Sequence, residues 1–200
     1  YGDDGEVQSV QIIDDNGKKL FIKNAPTGMG RMYIGINMGR TILCEGYATG
    51  ATIYDAIPEQ VCVTFSLGNM EKVARSMVAD GRSIVLAADT GLATGKMLAL
   101  GEELGVPVVV PPTGMELVSA DGEISDGTDF NDMGICLGID AVAARFSTSM
   151  RAFADHATLE KKATSVEIGP VDLWAKPAGK KKKKGWLPAI IDRHAFEKSA

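Results

Sequence analysis

Three stretches of the chain end in carboxylates at places where an open α/β sheet takes its ligands. Thr41-Ile42-Leu43-Cys44 is a mostly apolar run that ends at Glu45, with Gly46 next. Ser83 to Ala88 runs into Asp89, and Val106 to Val110 leads through a loop to Asp129-Phe130-Asn131-Asp132. Acids at the C-terminal ends of such strands face the crevice where these sheets bind ligands. Hard carboxylate oxygens suit magnesium or manganese, which keep part of their water shell. Glu45 is expected to hold the ion, directly or through water, or to act as general base towards a hydroxyl or water. Asp89 is expected to share the ion. Asp129 and Asp132, three apart at a helix start, share roughly one face and are expected to add a ligand. Both also suit a rival role as helix N-cap residues, and capping is the expected role of Thr90 and Thr94.

The basic residues that such a site needs are scattered. Lys72 and Arg75 fall on the helix after the second parallel strand, and Lys96 on the next helix. Arg31 and Arg40 flank an N-terminal strand, with Lys23 nearby. Any of the six has the chemistry to meet phosphate oxygens of a nucleotide or nucleic acid, and any could equally be a solvated surface charge. Tyr33 and Tyr47 are candidates to stack on bases or to pack at the rim.

Several chemistries lack support. His156 and His194 are the only histidines, and neither has a second histidine or a cysteine at metal spacing. Gly28-Met29-Gly30 is not followed by the Gly-Lys-Ser/Thr of a phosphate loop, and Gly46-Tyr47-Ala48-Thr49-Gly50 is not a dinucleotide fingerprint. Cys44, Cys62 and Cys136 lie in apolar stretches without zinc spacing. They suit a reducing compartment, so the cytoplasm is the expected location. No run of eighteen apolar residues is present, so no membrane is expected among the partners.

Positioning these acids requires strand–helix alternation. From Thr41 the pattern reads as strand, helix to Ala56, strand Val61–Phe65, helix Met70–Ala79 capped by Asn69, strand Ser83–Ala88, helix Thr94–Leu104 and strand Val106–Val110. Such units imply a mostly parallel, four-stranded sheet flanked by helices. Before them, residues 1–40 read as a small antiparallel meander around the turn Asp14-Asp15-Asn16-Gly17. Its strands are expected at Val7–Ile13, Lys19–Ile22 and Arg31–Ile36. Pro111 to Thr128 reads as a substrate-facing loop with a turn at Asp121-Gly122. Ile139–Ala157 reads as one longer helix. After residue 157 the periodicity weakens. A short strand is expected at Val166–Ile168, Lys180–Lys184 is a run of five lysines, and a short helix is expected at Ala189–Lys198. The expected organisation is therefore 1–40, 41–157 and a basic linker or tail, 158–200, leading towards a neighbour.

Charge divides the same way. Residues 1–157 carry 11 Lys/Arg against 21 Asp/Glu, a net −10, whereas residues 158–200 carry 10 against 5, a net +5. An acidic body opposes nucleic-acid binding by bulk electrostatics. Local cations or a metal would have to compensate.

Together, Glu45-Gly46-Tyr47-Ala48-Thr49-Gly50, Asp89-Thr90-Gly91 and Asp129-Phe130-Asn131-Asp132 resemble the Toprim domain of phage- and plasmid-type DNA primases. The stretch from Asp14 through Lys18-Lys19 to Phe21 resembles the segment before that domain, so the likeness covers roughly residues 5–145. The resemblance implies a four-stranded parallel Toprim sheet, with Glu45 as catalytic glutamate and Asp89 as the first acid of an Asp-x-Asp metal motif. It implies primer synthesis from nucleoside triphosphates on a single-stranded DNA template, with magnesium (or manganese) and a replicative helicase domain or protein as partner. One position departs from the pattern: the second acid of Asp-x-Asp falls on Gly91. Asp129 or Asp132 could replace it, one ion could suffice, or catalysis could have been lost. The rival activities are therefore phosphodiester cleavage by a Toprim-type nuclease and binding of nucleic acid or protein without chemistry.

Overall fold

A computed structural model of the chain describes residues 1–164 apart from Asp3, Asn16, Gly17 and Ala120. The expected strand at Val166–Ile168, the lysine run and the C-terminal helix lie outside the described residues.

The core follows from period-two alternation in short apolar strands. In β4 (Arg40–Cys44), Ile42 and Cys44 point to one face and Leu43 to the other. β5 (Gln60–Val63) sends Val61 and Val63 to the first face and Cys62 to the second. β6 (Ser83–Ala87) alternates likewise, with Val85 and Ala87 against Ile84 and Leu86. Both faces are thus apolar, and both are covered. On the first face lie Ile53 of α1 (Tyr47–Ala56), Phe130 and Met133 of α4 (Phe130–Leu137), and Val142 and Phe146 of α5 (Ile139–Thr164). On the second lie Met70, Val73 and Met77 of α2 (Leu67–Ala79) and Met97 and Leu100 of α3 (Leu92–Leu104). Each fully buried side chain of this size contributes about 1.5–3 kcal/mol.

The main sheet has five strands in the order β3-β5-β4-β6-β7, where β3 is Met32–Ile34 and β7 is Val108–Val109. β5, β4, β6 and β7 are parallel, as the strand–helix alternation predicts. The fifth strand is a departure from the sequence reading. β3 does not complete an N-terminal meander but pairs antiparallel with β5, Tyr33 opposite Cys62. Only β1 (Gln11–Ile13) and β2 (Lys19–Phe21) form the separate hairpin. The segment 111–128 also differs: it holds an antiparallel pair, β8 (Met115–Val118) and β9 (Ile124–Gly127), where a plain loop was expected. Helix α5 runs to Thr164, past the expected end at Ala157.

The chain leaves β4 for β5 on one side and later returns to β6 on the other. The crossover helix after β4 and the one after β6 cover opposite faces. The C-terminal ends of β4 and β6 are therefore the topological switch point, the crevice where such sheets bind ligands. Close packing of α1 on this edge depends on Gly50. A Cβ there would stand 2.8 Å from Val63 Cγ2 and 3.1 Å from Cys44 Sγ.

Candidate functional site

Glu45 and Asp89 lie at the two sides of the switch point. Leu43 pairs with Leu86, and carrying that register on puts Glu45 beside Ala88. Strand spacing and rise then put the Glu45 and Asp89 backbones on the order of 6 Å apart. Both ends are held in line. The Phe65 amide donates to Glu45 O at 2.9 Å, and the Ala88 amide to Val109 O at 2.9 Å.

The third acidic segment is brought to them by two ties. The Thr90 amide donates to Thr128 O at 2.8 Å, joining the end of β6 to the residue before Asp129. The buried Thr49 of α1 donates from Oγ1 to Asp129 Oδ2 at 2.8 Å. Thr52, one turn on, donates to Asn131 Oδ1 at 3.1 Å.

Asp129 and Asp132 are largely occupied by helix chemistry. They form a reciprocal capping box. Asp129 Oδ1 accepts from the Asp132 amide at 2.8 Å, while Asp132 Oδ2 accepts from the amides of Thr128 (2.7 Å) and Asp129 (3.3 Å). With Thr49 on its other oxygen, Asp129 has both oxygens engaged.

Asp89 is the opposite case. Its Oδ1 is shut off from solvent and has no hydrogen-bond partner. Its carboxyl is pushed up to about 6, first by burial, then by the negative charges of Asp129, Glu45 and Asp132, against a smaller opposing pull from Lys19. Four carboxylates thus share one field. The same field, added to burial and to Cys62, lifts the Cys44 thiol well above its usual range, so that thiol is unreactive.

No family model, no curated protein and no solved structure matches the chain.

Among the described residues, no three His, Cys, Asp or Glu side chains form a group that could hold a metal ion. A hydrated ion needs less. Magnesium is commonly held by one or two carboxylates, with water and substrate phosphate completing its shell. An orphaned buried carboxylate oxygen on Asp89, a raised pKa and Glu45 alongside fit that smaller donor set. Gly91 explains why the set is no larger. Its φ of 102° and ψ of −151° fall in a region reserved for glycine. A Cβ there would meet nothing within 4 Å, so backbone conformation and not space opposes an acid.

The six basic candidates are not gathered at the carboxylates. Arg40 opens β4, at the opposite end of the sheet from Glu45, and holds Glu59 in a two-pronged ion pair. Arg75 is paired with Glu103 and Glu71, and Lys96 with Glu71, in an exposed network across α2 and α3. Lys72 is exposed on α2, and Lys23 is exposed after β2. Arg31 donates to Tyr33 Oη at 2.8 Å and to Met29 O at 3.2 Å. Tyr33 is flanked by the guanidinium groups of Arg31 and Arg82, each 5.9 Å from its ring centre.

Lys19 is a cation the sequence reading left out of the site. Its Nζ lies 3.8 Å from where a Gly46 Cβ would be, and its charge acts on Asp89. The hairpin β1–β2 carries it there, and Phe21 seats the hairpin edge-on against Phe65 at 5.6 Å. Asn69 was also misplaced. Ser66 caps α2, and the Asn69 side chain instead ties the loop before β3 to the sheet edge. It accepts from the Met29 amide at 2.7 Å and donates to Gly30 O and Thr64 O. A buried Asn at the third residue of a helix, with a Gly-rich loop elsewhere in the chain, is a weak signal for such a tie.

Proposed function

We propose that the chain is the Toprim-type core of a DNA primase, a metal-dependent nucleotidyltransferase that makes short primers on single-stranded DNA from nucleoside triphosphates. The observation that carries this reading is Asp89. A partly buried carboxylate with an orphaned oxygen, raised by three neighbouring acids at a topological switch point, is an arrangement that a cation relieves. Asp89 and Glu45 would hold the ion. A bound magnesium or manganese ion would neutralise the triphosphate and align the in-line attack.

The chain's own residues have distinct tasks in this scheme. Glu45, at the end of β4, accepts the proton of the primer 3′-hydroxyl or orients the water shell. Asp129 and Asp132 keep the acidic edge in place and contribute field. The uncapped N-terminus of α3, at Gly91, favours a phosphate oxygen. Lys19 places a positive charge beside the acids, where phosphates would enter. Template and nucleotide reach the site across the hairpin, which carries Lys18 and Lys19, and past Lys23 and Arg31. A replicative helicase domain or protein is the proposed partner, and the cytoplasm the proposed location. Among the described residues, no helix is long and apolar enough to cross a membrane.

Gly91 and the lack, among the described residues, of three side chains grouped to hold a metal favour a second reading, a Toprim-like module that binds nucleic acid without chemistry. A primer-synthesis assay separates the two. The chain is incubated with single-stranded DNA, labelled nucleoside triphosphates and magnesium or manganese, with and without a replicative helicase. New oligomer is expected, and Glu45→Gln should reduce it by at least about 100-fold. Cut template in place of oligomer would mean a nuclease. Retention of DNA with neither product would mean the binding module.

A further inference from the structure

Among the described residues, Asn24, Met29 and Phe65 are the non-glycine residues with positive φ. Asparagine visits that region readily, so Asn24 is ordinary. Met29 (60°) and Phe65 (65°) are bulky, and a left-handed backbone strains them. Such strain persists only where the surroundings over-determine it, and it collects at functional sites. Here one side chain holds both residues. Asn69, buried in the first turn of α2, accepts from the Met29 amide at 2.7 Å through Oδ1. Through Nδ2 it donates to Gly30 O and, at 2.9 Å, to Thr64 O. Ser66 already caps α2, so none of these three bonds serves the helix that carries Asn69.

The bond to Thr64 reaches the carboxylate edge through one rigid unit. Thr64 C=O and Phe65 N–H belong to the same planar peptide and point to opposite sides of it. The oxygen accepts from Asn69, and the N–H donates to Glu45 O at 2.9 Å. Beside it, the Thr64 amide and Oγ1 each donate to Cys44 O at 2.9 Å. The ladder between β4 and β5 closes at Cys44 opposite Val63, so beyond the ladder this peptide ties Glu45 to the end of β5. The Phe65 ring, in turn, seats Phe21, which shares a face of β2 with Lys19. Phe65 thus sets the placement of both the acid and the cation.

We propose that Asn69 is a positioning residue: it holds the Thr64–Phe65 peptide in its strained form, so that Glu45 is fixed at the edge of the site, and it couples that placement to the loop before β3. Displacing the loop at Met29 and Gly30 withdraws two of the three Asn69 bonds. Phe65 then relaxes towards the ordinary extended region, and its N–H turns away from Glu45 O. The loop therefore regulates the site, since Glu45 is in place only while residues 29–30 are docked on Asn69. What Glu45 does to an ion or a hydroxyl rests on the primase reading, whereas its placement by Asn69 does not.

The test separates placement from chemistry. In the full chain without metal, amide exchange and the Glu45 carbonyl carbon shift are read by nuclear magnetic resonance. Asn69→Ala should speed exchange of the Phe65 amide at least about tenfold more than that of the β4 and β6 amides, and should move the Glu45 carbonyl signal. Met29→Pro leaves Asn69 intact but lacks the amide and cannot take a φ of 60°, so it displaces the loop. It should have the same two effects, and it carries the test if Asn69→Ala fails to fold. Met77→Ala loosens the core from the same helix without touching these bonds, and should leave the Glu45 signal in place. If either of the first two variants leaves Phe65 and Glu45 unchanged, Asn69 only anchors the loop and the proposal is overturned. With metal, template and nucleotides, Asn69→Ala should lower kcat at least about tenfold while KM for nucleotide hardly changes. If the exchange pattern holds and the wild type makes no primer, the positioning stands and the primase reading falls. If primers are made and turnover ignores Asn69→Ala, the primase reading stands and the positioning falls.

Discussion

Replacing Asp89 by Asn tests the electrostatics of the site without any need to know its substrate. The Asp89 carboxyl is raised from an ordinary 3.8 to about 6. Because the folded value lies above the unfolded one, the native state keeps a proton across that interval that the unfolded state has released. Stability therefore falls as pH rises from about 4 to about 6, and the cost is fully present above that window. At about 1.4 kcal/mol per pKa unit the cost would be about 3 kcal/mol. Asp89 is only part-buried, so solvent screening reduces this to roughly 1–2 kcal/mol. Asn keeps the shape and carries no charge. The Thr94 Oγ1 bond to Asp89 O at 2.8 Å involves only the main chain and survives the change.

Asp89→Asn should thus stabilise the protein at pH 8 by roughly 1–2 kcal/mol, a rise in Tm of roughly 2–8 °C for a chain of this size. At pH below about 4 the gain should vanish, since the wild-type side chain is then protonated in both states. If Asp89 holds magnesium as proposed, the ion should raise the Tm of the wild type, since a ligand of the folded state alone stabilises it, and should do so less for the variant. Thermal unfolding followed by circular dichroism at pH 3.5, 6 and 8, with and without magnesium, measures all of this. Equal stability of the two proteins at pH 8, or a gain that persists at pH 3.5, would refute the claim that repulsion and burial act on Asp89.

Thr49→Val removes the donor from a carboxylate oxygen and leaves Asp129 Oδ2 without it. It should destabilise by about 1–3 kcal/mol, as read from urea unfolding, and Thr49→Ser should recover most of the loss. Asn69→Ala removes three bonds that tie the loop before β3 to the sheet edge. The Met29 amide should then exchange with solvent markedly faster, while exchange in β4 and β6 should hardly change. Gly91→Asp supplies the carboxylate that the acidic pattern lacks, at a backbone cost of about 1–3 kcal/mol. If the number of carboxylates limits ion binding, magnesium affinity measured by calorimetry should rise despite the lower Tm.

The strands that carry Glu45 and Asp89 were legible because each is a continuous apolar run, the mark of a strand buried on both faces. The partner of β3 was not legible. An edge strand of three residues, with only Met32 and Ile34 facing inward, carries no local sign of which strand it will join. In 111–128 the prolines and glycines concealed two four-residue strands, although the turn at Asp121-Gly122 between them was visible. The basic residues show a different limit. A sequence reveals that Arg40, Arg75 and Lys96 are charged, but not that Glu59, Glu71 and Glu103 already hold them. Lys19 was missed for the converse reason, since only the fold of the hairpin brings it beside Gly46.

The four carboxylates at the switch point divide into two kinds by what their oxygens touch. Asp129 and Asp132 satisfy the amides that open α4, and Thr49 anchors that box to α1. Their negative charge is thereby fixed in place whether or not a cation is bound. Asp89 Oδ1 has no such partner, so the field of the capping box falls on a carboxylate whose charge hydrogen bonds do not offset. In the proposed site, a helix start that is stable on its own account would thus raise the affinity of its neighbour for a cation. This arrangement also accommodates Gly91. With a fixed negative field supplied from α4, the edge of α3 can keep a glycine and leave its amides open to an anion. A site built this way would place cation and phosphate on adjacent elements, the geometry that phosphoryl transfer requires.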